Sequence, residues 1–193
     1  MIKELRQETG AGVMDCREAL EVCSGDLEAA VAHLRDKGLA EVAKRGEREV
    51  SEGRIEAYVH PGNRVAVMLE LNCETDFVAK TDDFAALAHD LALHIAFAAP
   101  RYLTRADVPE DVAETQRAEY RAQALEEGKP EHIVDRIIEG RLEKFYQEVC
   151  LMEQPFVKDE DQVIETLINN AVAKFDENVI LRRFARYKLG EDS

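Results

Sequence analysis

The spacing of apolar residues changes period several times along the chain, and each change predicts a different element. "IKELRQE" carries Ile2 and Leu5 and stops at Thr9-Gly10-Ala11-Gly12. "VMDCREALEVC" places Val13, Cys16, Leu20 and Cys23 on one stripe, with Met14 off it. "DLEAAVAHLRDKG" puts Leu27, Ala30, Val31 and Leu34 on one face at helical spacing. Gly25 and Asp26 suit the start of this third helix, and Gly38 suits a left-handed C-terminal cap. Residues 1–38 therefore read as a minimal bundle of three short helices, near the lower limit for an independent core. Residues 39–53, "LAEVAKRGEREVSEG", read as a charged helical linker ended by Gly53.

The period then falls to two. "RIEAYVH" alternates Ile55, Ala57 and Val59 with Glu56, Tyr58 and His60; "PGN" makes a turn; "RVAVMLELN" alternates Val65, Val67, Leu69 and Leu71 with Ala66, Met68 and Glu70. This is a hairpin, and one of its faces needs a cover. Helices are available downstream. "DDFAALAHDLALHIAFAAP" keeps Phe84, Leu87, Ala88, Leu91 and Ile95 in register. Pro109 and Pro130 look like first-turn prolines, with Gly128 a helix stop between them. "PEHIVDRIIEGRLEKFYQEVCLM" places Ile133, Ile137, Phe145 and Val149 on one side. "DQVIETLINNAVAKF" is a further amphipathic helix, and "NVILRRFARYKLG" closes the chain as a strand alternating apolar and basic residues. The fold class is α+β: a helical module (1–38), a helical linker (39–53), and a small antiparallel sheet packed on helices (54–193).

Composition narrows the functional classes. A length of 193 residues fits one ordinary domain plus a small module, and 46% apolar residues permit a real core. No apolar run approaches the roughly 18 residues of a membrane span. "MIKELRQETG" has the character of neither a signal nor a transit peptide. Cys16, Cys23, Cys73 and Cys150 lack CxxC spacing, so they read as thiols of a reducing, cytoplasmic compartment. A net charge of −15 opposes a continuous phosphate-binding surface and direct nucleic-acid binding. Two basic groups remain, Lys44-Arg45-Arg48 and Arg182-Arg183-Arg186-Lys188, which read as a solvated helix and an exposed strand face.

Candidate chemistry is sparse. His89 and His94 are five apart on one helix, poor spacing for two metal ligands, and His33, His60 and His132 lie elsewhere. "TGAG" at 9–12 lacks the Gly-Lys-Ser/Thr ending of a phosphate loop, and no GxSxG occurs. The reading is no enzyme, no cofactor and no metal. The feature that stands out is "LNCETDFVAKTDDF", residues 71–84, which sets Phe77 where strand gives way to helix. Either Phe77 folds under the helix while Thr75 or Asp76 caps it, or it is a rigid aromatic wedge offered to a partner.

Three stretches carry a family resemblance: "KELRQETGAGVMDCREAL" with "GDLEAAVAHLRDKG", "NCETDFVAKTDDF", and "GKPEHIVDRIIEGRLEKFYQEVCLMEQPFVKD". In this order they resemble translation elongation factor Ts, the family of nucleotide exchange factors for elongation factor Tu. The resemblance implies that residues 1–38 form a ubiquitin-associated-like module gripping the nucleotide-binding domain of Tu, with Arg6, Val13 and Met14 as contacts. It implies that Thr75, Asp76, Phe77 and Val78 engage the same domain. Phe77 then wedges beside the nucleotide site and dislodges the magnesium ion that holds GDP. Family members usually have several more residues before "KELR", so the first helix is expected to start short. The chain is similar to the short forms, with one core unit and no coiled-coil insertion, which implies a homodimer whose second copy supplies the missing half. Two rivals are a protein-binding module without exchange activity and a hydrolase assembled around one His or Cys.

Overall fold

A computed structural model describes residues 1–9, 11–46 and 48–191, with the side chains of all but Glu8, Arg35 and residues 39–43. Gly10 of the "TGAG" turn and Glu47 of the predicted linker lie outside the described residues. The elements run α1 (Ile2–Thr9), α2 (Val13–Val22), α3 (Leu27–Arg45), β1 (Glu52–Val59), β2 (Val65–Cys73), α4 (Asp76–Ala79) and α5 (Asp82–Ala98). They continue with α6 (Glu110–Glu126), α7 (Glu131–Val149), β3 (Pro155–Phe156), β4 (Asp159–Val163), α8 (Ile164–Phe175) and β5 (Val179–Lys188). Strands β1, β2 and β5 form one sheet in the order β1-β2-β5, and β3 pairs antiparallel with β4. Helices with a small sheet give the α+β class expected.

The chain makes two compact units. The first comprises Met1–Glu56, Leu69–His89 and Thr166–Arg182. Its N-terminal helices pack Leu5, Cys16, Ala19, Leu20 and Ala30 into a core edged by Leu27, Val31 and Leu34. The α2 stripe differs from the predicted one at its start: Val13 is half exposed, and Ala19 takes its place in the core. Gly38 does not stop the third helix. It carries no positive φ, and α3 continues to Arg45. The left-handed closure falls instead after α2, where Ser24 (φ 52°) and Gly25 (φ 86°) return N–H groups to Glu21 O and Leu20 O.

Gly53 ends no helix; it lies inside β1 at φ 149°. A Cβ there would collide with the Leu71 carbonyl oxygen and come within 2.7 Å of Asn72 Cα, so the close approach of β1 to β2 requires glycine. One face of β1 is covered, as the alternation requires, and it is the polar one. Ile55, Ala57 and Val59 are exposed, while Arg54, Glu56 and Tyr58 are partly covered. Glu56 meets His89 of α5 at 3.3 Å, so polar pairing turns that side of the strand toward the helix.

The second unit comprises Ala57–Met68, Asp90–Glu165 and the residues from Arg183. Pro109 and Pro130 stand one position earlier than expected, as the residues preceding α6 and α7. Gly128 does stop α6: at φ 70° it closes a Schellman motif, Gly128 N–H to Leu125 O and Lys129 N–H to Ala124 O. On α7 the buried stripe is Val134, Ile138, Leu142, Phe145 and Val149, one residue on from Ile133 and Ile137, which are half-buried. His94 is buried in this unit. Its ring accepts from Val157 N–H at Nδ1 (3.3 Å) and donates from Nε2 to Gln154 Oε1 (3.0 Å).

Candidate partner-binding site

β2 ends at Cys73, and the chain turns at once into α4, a single helical turn. Thr75 is extended (φ −125°, ψ 151°) and caps that turn, its hydroxyl accepting from Val78 N–H at 3.4 Å. Val78 and Ala79 are buried, which roots the turn in the first unit. Thr81 then caps α5 by accepting from Phe84 N–H at 3.2 Å. Two caps within seven residues leave the segment little freedom to fray.

Phe77 sits on the outer side of this turn at 79% exposure, and no large apolar residue among those described is more exposed. It does not fold under the helix; Phe84 does, at 0%, packed edge-on against Phe175 with ring centres 5.8 Å apart. Of the four motif residues, Thr75, Asp76 and Phe77 are exposed, while Val78 is an anchor. Asp76 Oδ2 and Lys80 Nζ form an exposed i,i+4 pair at 2.5 Å. The Lys80 ammonium holds the Asp76 carboxyl below the usual carboxylate range.

The corner is also tied from below. One oxygen of Glu177 accepts from Glu74 N–H (3.2 Å) and Thr75 N–H (3.0 Å), and the other accepts from the Thr75 hydroxyl at 2.6 Å. Glu74 replies by accepting from Asn178 N–H at 2.6 Å and from Arg48 at 3.4 Å. Asn178 is itself buried, and its amide donates to Arg48 O at 3.0 Å. Arg45, at the end of α3, is mostly buried and pairs with Asp176. The Lys44-Arg45-Arg48 group is therefore not simply a solvated face. Cys73 donates to Thr75 O at 3.2 Å, and burial, with the nearby Glu177 charge, pushes its thiol up to about 11.

Arg6 is exposed on α1, and Val13 and Met14 are exposed in the first turn of α2, in the same unit as the Phe77 corner. They stand on separate elements from residues 75–78. Glu177 and Asn178 went unread in the sequence, because "DEN" after an amphipathic helix looks like any polar turn. The usable signal was the pairing of two acid-rich turns, each following an apolar element. Among the described residues, no group of three or more His, Cys, Asp or Glu side chains could hold a metal ion. None of the described helices is long and apolar enough to cross a membrane.

Comparison with known proteins is consistent along the chain. The family model described as "Elongation factor TS" matches residues 21–191. The Elongation factor Ts of Moorella thermoacetica is 55% identical over 190 residues, covering 98% of this chain and 94% of the relative. That of Syntrophus aciditrophicus is 55% identical over 192 residues, covering 100% and 96%. That of Desulfitobacterium hafniense is 56% identical over 190 residues, covering 98% and 88%. A match of this extent makes this chain a member of the elongation factor Ts family.

Proposed function

We propose that the protein is the guanine-nucleotide exchange factor of elongation factor Tu, acting in the cytoplasm and catalysing no covalent chemistry. The observation that carries this reading is Phe77, an exposed aromatic ring on a turn rooted by buried Val78 and capped by Thr75. An aromatic on so short a mobile length loses little freedom on docking, which is what a wedge needs. Phe77 enters beside the nucleotide site of Tu and displaces the magnesium ion held there. Magnesium neutralises the diphosphate oxygens, so its loss weakens GDP. Arg6, Val13 and Met14 of the ubiquitin-associated-like module (1–38) grip the same domain of Tu.

Linkage sets a limit on the mechanism. If the factor lowers the affinity of Tu for GDP, GDP lowers the affinity of Tu for the factor equally. Burying one phenylalanine is worth about 1.5–3 kcal/mol, or about 10- to 150-fold. Phe77→Ala therefore loses that much of the acceleration and not all of it, the remainder coming from Asp76 and the N-terminal contacts. The test is release of a fluorescent GDP analogue from Tu in excess unlabelled GDP, alone, with the protein, and with folded Phe77→Ala. Binding to Tu without faster release would leave a protein-binding module and overturn the exchange reading.

We infer further that the working form is a homodimer. Ile55 and Val59 of β1 are each more than half exposed, and Met68 of β2 is exposed as well. Apolar side chains in strands at this exposure favour a cover, and a second copy supplies one.

A further inference from the structure

We propose that Glu177 is a positioning residue for the wedge: its carboxylate sets the angle at which the 75–78 turn presents Phe77, without itself touching the partner. The inference rests on the exchange reading above. Where β2 stops, the N–H groups of Glu74 and Thr75 need acceptors. Glu177 takes both on one oxygen and the Thr75 hydroxyl on the other, three donors on one ionised side chain. Hydrogen bonds to an ionised acceptor are the strong kind.

The Thr75 hydroxyl is the hinge of the arrangement. Donating its proton to Glu177 fixes its torsion and leaves its lone pairs facing Val78 N–H, the bond that caps α4. The cap that shapes the wedge is thus held by a residue 102 positions away in sequence. The contact is reciprocal, since Glu74 accepts from Asn178 N–H in the opposite direction. The same turn receives the end of α3, through Arg45 on Asp176, and the segment just after it, through Asn178 on Arg48 O. One three-residue turn, 176–178, therefore fixes both the wedge and the end of the helix that leads from the N-terminal module. Without the carboxylate, Phe77 keeps its contact surface and loses its fixed direction. Binding then no longer converts efficiently into displacement of the nucleotide.

The experiment measures GDP-analogue release from Tu across a range of factor concentrations. It compares wild type, Glu177→Ala, Glu177→Gln, Phe77→Ala and the Glu177→Ala/Phe77→Ala double variant. The maximal release rate is expected to fall about 5- to 30-fold in Glu177→Ala, with the half-saturating concentration moved less than about 3-fold. Glu177→Gln, which keeps one acceptor oxygen, should lie between it and wild type. In the Phe77→Ala background the Glu177 change should cost little more, because the group it directs is gone. A merely structural role would reduce the folded fraction, shift half-saturation and spare the maximal rate. An unchanged maximal rate in Glu177→Ala, or a full independent loss in the double variant, overturns the proposal. Should Glu177→Ala fail to fold, Glu177→Gln and its double variant decide by the same two criteria. If wild type does not accelerate release, the exchange reading itself falls and takes this inference with it.

Discussion

Phe77 and Phe84 are seven residues apart and have opposite fates, which makes them a matched pair for separating function from stability. Phe84 is fully buried against Phe175, so Phe84→Ala should cost about 3–5 kcal/mol of stability. Phe77→Ala should stay within about 0.5 kcal/mol, because its ring already faces water. Urea unfolding of both variants checks this; a Phe77→Ala loss resembling that of Phe84→Ala would return Phe77 to the core. The sequence alone left Phe77 open for a physical reason. A four-residue helix spans barely one turn, so it has no apolar periodicity from which a buried side can be read. Val13 shows the converse problem: the helical spacing is right, yet its place at the first turn puts it beyond the core formed by Cys16, Ala19 and Leu20. On α7, adjacent apolar pairs at 133–134 and 137–138 offer two parallel stripes, and packing rather than spacing selects the second.

At the level of elements, position and type were legible, while ends and facing were less so. Gly128 stops its helix because two N–H groups close back on α6; Gly38 does not, and α3 absorbs a glycine at a cost of about 0.5–1 kcal/mol. The alternation in β1 identified the strand and its need of a cover, but not which face the cover takes. Period two fixes which residues share a side, and Arg54, Glu56 and His89 decided which side meets the helix. The β3–β4 hairpin is fastened to α5 through His94, whose pKa burial holds below its ordinary value, against the opposing pull of the Gln154 hydrogen bond. A depressed value means the unfolded chain binds the proton more readily. The stability His94 contributes is therefore present above its unfolded value near 6.5 and lost as pH falls through the lower folded value. Wild-type urea midpoints should decline from pH 7.5 to 5, and the decline should be shallower in His94→Gln. Parallel curves would show that His94 is not the group being titrated.

For the whole molecule, the motif stretches spread along the chain carried the family, and the core matched in class. What the sequence hid was long-range: the 176–178 turn reaching back to residue 74, and the exposure of one side of β1. The homodimer proposed for that exposed strand predicts a scattering mass of twice 21.8 kDa at the concentrations where exchange is measured. A single-chain mass with full exchange activity would remove it. The sheet order bears on a different matter, the behaviour of the protein at high concentration. With β2 in the centre, β1 and β5 are the outer strands, and β5 runs for ten residues. A long outer strand offers unpaired backbone groups to any neighbour, the route by which sheets join into fibrils. Arg182, Arg183 and Lys188 stand exposed on it. In a chain of net charge −15 they read less as a docking patch than as a guard. Arg182 leans toward Glu70 and Lys188 toward Glu191, yet two copies of β5 brought edge to edge would still crowd these basic side chains together and oppose further growth.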